Sequence, residues 1–233
     1  MQCGREHLRS SSMGNWFREN VLQVHTIETS VSGKYLLRLP ADPGTAPLLA
    51  GFHGYGQTAE DEFRLLCAIP GSDRWFCCSI EALHSLYTAA GNPGASWMTS
   101  CDREQHIEEN VRYVDAVIER IRALHDVNDR LCFHGFSQGT GMACRAALLG
   151  RYPAERILLL GGDIPPELAV SGRMGRVHLA RGTRDQLYSQ ERYERDVARL
   201  QEGGIAFVAC SFTGGHRVNE AYYQAAGEFL EGE

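Results

Sequence analysis

Leu131-Cys132-Phe133-His134 runs straight into Gly135-Phe136-Ser137-Gln138-Gly139, and a helix-compatible run from Thr140 to Leu149 follows at once. Apolar strand, sharp turn with a serine at its tip, then helix is the context that gives a G-x-S-x-G spacing mechanical meaning. The chain must pass the serine in a tight, strained conformation, so the flanking positions have to be small. The hydroxyl then stands clear of the sheet, at the start of a helix.

The rest of the chain supplies a sheet for that strand to belong to. Before it, Leu48 to His53 and Arg74 to Ile80 are continuous apolar runs of the kind buried on both faces of a parallel sheet. Between them, Thr58 with Asp61 three residues on and Glu60 and Glu62 in the first turn predicts a helix start. Glu104 to Leu124 carries Ile107, Val111, Val114, Val117, Ile118 and Ile121 on one helical face. After the serine come strands at Arg156–Leu160, Arg176–Ala180 and Ile205–Phe212, and helices at Tyr188–Gly203 and Val218 to about Glu231. Leu22–Thr29 and Tyr35–Leu39 alternate about the turn Val31-Ser32-Gly33-Lys34 and predict an antiparallel hairpin. The alternation of strands and helices makes an α/β, doubly wound and mostly parallel sheet. Residues 1–20 are polar and serine-rich and are expected to be flexible; 21–233 is expected to be one domain. Glu81 to Asp102 is predicted to be a long irregular loop of functional weight.

Composition narrows the partners. A net charge of -6 with no Lys/Arg stripe argues against nucleic acid, and no apolar run approaches membrane-spanning length. The N-terminus lacks a signal-peptide core. Eight cysteines show no C-x-x-C spacing, and four of them sit in apolar strand-like runs, which favours free thiols in a reducing, cytoplasmic setting. Neither a metal nor a cofactor is signalled. His53 and His134 end strands and are expected to be structural; His84 and His106 are expected at the surface or in hydrogen bonds.

A serine hydroxyl needs a base, usually histidine, and the histidine needs a carboxylate to hold its tautomer. In chain order these follow the serine as acid, then histidine. Of the nine histidines only His178 and His216 lie beyond Ser137. His178 falls in mid-strand, whereas His216 follows the last strand beside two glycines, so His216 is the candidate base. Asp163 and Asp185 both follow strand ends and both remain candidates for the acid, with Asp185 preferred for its loop one strand away from His216. Asp196 falls inside a helix. Oxyanion donors are expected from the backbone N–H of Gln138 and, in the loop after the early strand, of Tyr55.

Together, His53-Gly54-Tyr55-Gly56, Gly135-Phe136-Ser137-Gln138-Gly139, Gly182-Thr183-Arg184-Asp185 and Gly215-His216-Arg217-Val218 resemble the phospholipase/carboxylesterase family of α/β-hydrolases, which includes acyl-protein thioesterases and small carboxylesterases. The resemblance spans the chain from about residue 20. It implies Ser137, Asp185 and His216 as triad and the amides of Tyr55 and Gln138 as oxyanion hole. The chain departs from the family's thioesterases at Tyr55 and Gln57, where they carry Leu and Asp, at Gln186-Leu187-Tyr188, where they tend to carry Val-Pro, and at Thr140.

The expected partner is therefore a small-molecule ester, with a homodimer left open. Trp97 and Met98 are candidates for the pocket wall, Trp97 equally for plain packing. Only Gly161 to Gly175 separates two strands where many lipases insert a cap, so an open site is expected, suited to short- or medium-chain carboxylic esters. The alternatives are an acyl thioesterase, a lysophospholipase, a dienelactone-type hydrolase, or a non-enzymatic binder on the same scaffold.

Overall fold

The computed structural model describes residues 23, 25, 27, 29–42, 44–99 and 101–232. Contacts divide the chain into two units, 1–32 and 33–233. In the first, the described residues carry no regular structure; the flexible segment expected over 1–20 lies outside the described residues.

The second unit holds a seven-stranded sheet in the order β1-β3-β2-β6-β7-β8-β9. Its strands are β1 (Tyr35–Arg38), β2 (Ala46–Phe52), β3 (Phe76–Ile80), β6 (Val127–Phe136), β7 (Arg156–Leu160), β8 (Arg176–Gly182) and β9 (Phe207–Phe212). Only β1 runs antiparallel to its neighbour. Among the described residues the α-helices are α1 (Ala59–Ala68), α2 (Arg103–Leu124), α3 (Gln138–Leu149), α4 (Gln190–Glu202) and α5 (Glu220–Glu231).

Both faces of the sheet are buried, and the central strands carry apolar side chains toward each face. Leu48, Ala50 and Phe52 point into one core with Phe133, Ile157 and Leu159, covered by α2, α3 and α4. Leu49 points the other way with Cys132, Leu158 and Ala180, covered by α1 and α5. At the start of α1 the Thr58 N–H donates to Asp61 Oδ2 at 3.0 Å, the expected reciprocal cap, worth about 1 kcal/mol. Among the described residues no helix is long and apolar enough to cross a membrane.

Three expectations need correction. Tyr35–Arg38 does pair antiparallel, but with β3, register Tyr35↔Ile80. Leu22, Val24, Thr26 and Glu28 lie outside the described residues, and Gln23, His25, Ile27 and Thr29 are not strand. The strand that leads to Ser137 starts earlier than the Leu131 read from the sequence, at Val127, and the pairing of this added segment with β2 shifts register between Ala46 and Leu48. The long loop 81–102 contains a small hairpin, β4 (His84–Tyr87) with β5 (Pro93–Ser96). Its strands are four residues each, too short for alternation to show, and one begins with proline.

Candidate active site

The carboxyl ends of β2, β6, β7, β8 and β9 lie side by side, since Phe52 pairs with Gly135, Phe136 with Leu160, Leu160 with Ala180 and Gly182 with Phe212. Their following loops therefore meet at one edge, where ligands of open α/β sheets bind.

Ser137 sits at the tip of β6 with φ 54° and ψ −117°, a conformation that costs a residue with a side chain on the order of 1–3 kcal/mol. Neighbouring strands hold it there. The Ser137 N–H donates to the Leu160 carbonyl at 2.8 Å, and its own carbonyl accepts from Thr140 N–H and Oγ1 at 3.1 and 2.7 Å. The small residues are a steric demand: a Cβ on Gly139 would lie 1.8 Å from the Phe52 carbonyl oxygen, and one on Gly135 2.4 Å from that of Gly139.

The structure brings Ser137, His216 and Asp185 together. His216 Nε2 is 2.8 Å from Ser137 Oγ, and Nδ1 is 2.7 Å from Asp185 Oδ2. A carboxylate can only accept here, so Nδ1 carries the proton and Nε2 is left to accept from the serine hydroxyl. The other carboxylate oxygen, Oδ1, accepts from Leu187 and Tyr188 N–H, each at 2.9 Å. Asp185 is thus buried, fixed by two amides and aimed at the histidine. Two hydrogen bonds zip its loop to the His216 loop: Thr183 N–H to the Phe212 carbonyl (2.8 Å) and Arg184 N–H to that of Gly214 (2.7 Å). The Phe136 ring lies beneath the imidazole, centroids 5.1 Å apart. Asp163, the other candidate acid, turns away, 2.7 Å from Arg192 and 3.6 Å from Arg195. His178 is buried within β8, remote from this chain of contacts, as its mid-strand position implied.

Gln138 opens α3, so its N–H is one of the donors a helix start leaves without an intrahelical acceptor. In the loop after β2, Gly54 N–H donates to Gln57 Oε1 (2.7 Å), Gln57 N–H to the Gly54 carbonyl (3.2 Å) and Gly56 N–H to that of Ala95 (2.9 Å). Among the described residues the Tyr55 N–H, between these bonded amides, has no protein acceptor. The loop is close to the serine, since a Cβ on Gly54 would stand 3.3 Å from Ser137 Cβ. His53 is structural: Nδ1–H donates to the Gly54 carbonyl (2.7 Å) and Nε2 accepts from Ala82 N–H (3.1 Å), while burial holds its pKa below the ordinary histidine value. His134 spans the opposite core, between Glu62 and the Tyr222 hydroxyl. His84 and His106 face each other, ring centroids 4.3 Å apart.

A cavity of about 230 Å³ opens beside Ser137. Met98 lines it, but Trp97 does not: its ring is wholly buried against Phe52, and its Nε1–H donates to the His53 carbonyl at 2.9 Å. Of the two readings held for Trp97, pocket wall or plain packing, its full burial directly after β5 fits packing. Sequence reasoning missed Gln57, which braces the Tyr55 turn, and the Gln138 side chain, whose Oε1 accepts from Trp97 N–H at 2.9 Å. It also missed Arg103 and Arg145 in the cavity wall. Arg145 did leave a signal, as a lone charge in the apolar helix segment Met142-Ala143-Cys144-Arg145-Ala146-Ala147.

A family model described as Phospholipase/Carboxylesterase matches residues 42–231. The chain belongs to that family. It is therefore a hydrolase of the carboxylesterase and acyl-protein thioesterase type, on the α/β-hydrolase fold without a large cap. Among solved structures it is similar to a carboxylesterase from Mesorhizobium loti, with TM-score 0.73 at 19% identity over 89% of this chain and 99% of that one. It is similar also to the Bacillus cereus carboxylesterase (TM-score 0.70, 15% identity, 94% of this chain and 99% of that one). A third is Zea mays acyl-protein thioesterase 2 (TM-score 0.68, 18% identity, 85% and 98%). No curated protein sequence matches the chain significantly.

Proposed function

We propose that this family member is a serine carboxylesterase acting on short- to medium-chain carboxylic esters through a covalent acyl-enzyme. The observation that carries the reading is the unbroken hydrogen-bonded chain from Ser137 Oγ through His216 to Asp185, at 2.8 and 2.7 Å. Ser137 attacks the ester carbonyl as His216 Nε2 takes its proton; the same nitrogen then returns the proton to the departing alkoxide. Asp185 stabilises the imidazolium and holds its orientation. Water, activated by His216, breaks the acyl–serine bond and releases the acid. The amides of Tyr55 and Gln138 meet the oxyanion, each donor worth about 3 kcal/mol of barrier. The small cavity beside the serine supports short acids over long acyl chains.

The test is a pre-steady-state burst of p-nitrophenol from p-nitrophenyl acetate or butyrate, together with labelling of Ser137 by a fluorophosphonate. Both should vanish in Ser137→Ala. An alanine variant of undiminished activity would end the proposal.

A further inference from the structure

The cavity beside Ser137 carries charge where an alkyl-chain pocket would carry aliphatic side chains. Arg103 and Arg145 are both in its wall, and its apolar lining is limited to Met98 and two prolines. One carboxylate answers both guanidiniums: Glu167 Oε1 accepts from Arg103 Nη2 at 2.8 Å, from Arg145 Nη2 at 2.7 Å and from Arg145 Nε at 3.2 Å. Burial would push the Glu167 carboxyl up, but the hydrogen bonds from Arg145 and Arg103 outweigh it and hold the pKa down to about 2, so this anion is permanent.

Arg145 is 5% exposed, and its second terminal nitrogen, Nη1, points elsewhere: a Cβ on Gly141 would lie 3.3 Å from it. Gly141 itself lines the cavity. Asp163, the acid among the lining residues, is committed to Arg192 and Arg195. The two guanidiniums of the cavity wall are thus answered by one carboxylate, in a chain whose net charge is -6. A largely buried guanidinium that shares its only carboxylate is electrostatically incomplete, and a bidentate anion is its preferred complement. At about 230 Å³ the cavity lies below the usual range for drug-sized ligands, so the anion must sit within a few bonds of the reacting carbonyl.

We propose that this cavity selects esters bearing a carboxylate close to the scissile carbonyl, with Arg103 and Arg145 as the specificity-determining pair. The inference rests on the serine-esterase reading and adds the substrate class to it. Arg103, at the first turn of α2 and half-exposed, meets the incoming anion; Arg145 backs it from α3.

The experiment compares kcat/KM of the full chain on three esters. Ethyl hemisuccinate carries the anion on the acyl side and O-butyryl glycolate on the leaving side. Ethyl butyrate is the neutral match to both, a methyl standing where each has its carboxylate. At low salt one anionic ester should exceed ethyl butyrate at least tenfold, and the advantage should shrink in 0.5 M NaCl. Succinate should inhibit ethyl butyrate hydrolysis competitively where butyramide does not. In Arg103→Gln the anionic-to-neutral ratio should collapse roughly tenfold; if that variant does not fold, the salt response and succinate inhibition of the wild type decide. A fluorophosphonate-labelled Ser137 with no advantage for either anionic ester overturns this inference alone. No turnover of all three with Ser137 unlabelled overturns the esterase reading, and this one with it.

Discussion

Asp185 and Asp163 both follow strand ends, and at the level of single residues only their hydrogen-bond partners tell them apart. Asp185 is enclosed by two backbone amides and an imidazole, whereas Asp163 neutralises Arg192 at the cavity wall. Asp185→Asn should therefore keep the shape of the site but let His216 present the wrong tautomer, lowering kcat by about 10⁴. Asp163→Asn should leave kcat on p-nitrophenyl butyrate within a few-fold. Steady-state kinetics on the two variants checks this; a large loss confined to Asp163→Asn would reassign the acid. The choice was nearly legible beforehand. Chain order and strand ends reduced the acids to two, because catalytic groups of this fold sit after strands, but which carboxylate turns toward His216 depends on the zipper between two loops far apart in sequence. Ser137, whose turn demands glycine on either side, needed no such long-range information.

At the scale of elements, the β4–β5 hairpin was the least legible part and has the clearest consequence. Strand pairs of four residues give no periodic signal, and the hairpin is defined by what it touches. Gly56 N–H donates to the Ala95 carbonyl and Ala95 N–H to that of Gln57, both at 2.9 Å, so β5 forms a backrest for the turn that presents the Tyr55 amide. Gly94 permits this closeness, since a Cβ there would stand 2.2 Å from the Gly56 carbonyl oxygen. Gly94→Ala should push the turn off the hairpin and misalign the Tyr55 amide, the proposed oxyanion donor. The expected result is a kcat loss of roughly 10²-fold. Gly91→Ala, at the hairpin tip where a Cβ would meet open space, strains a φ of +78° without touching the turn and should cost only stability. Equal kcat losses in both variants would show that the hairpin acts through general loosening. By contrast, the central strands and α2 were readable to within a few residues, because both cores demand unbroken apolar runs and a single apolar helical stripe.

At the scale of the whole molecule, the α1–α5 core holds a feature with a definite pH signature. His178 lies there fully buried beside the rings of Tyr222 and Phe229, and neither ring nitrogen has a hydrogen-bond partner among the described residues. Burial first, and the neighbouring His134 second, lower its pKa from 6.5 to about 4. The unfolded chain therefore binds a proton at this position below about pH 6.5 while the folded chain refuses it until about pH 4, so stability must fall as pH drops through that window. The slope is about 1.4 kcal/mol per pH unit, about 2 kcal/mol between pH 7 and pH 5, and the loss levels off below the folded value. Above pH 6.5 the neutral ring contributes nothing to pH dependence. His178→Leu replaces an unpaired polar group with an apolar one of similar bulk, a change that can be neutral or stabilising. Urea denaturation of both proteins at pH 7 and pH 5 isolates the contribution, because every other titrating group is common to the two. The variant should match or exceed the wild type at pH 7 and be about 2 kcal/mol further ahead at pH 5. An unchanged difference between the two pH values would mean that the folded protein protonates His178 as readily as the unfolded chain does.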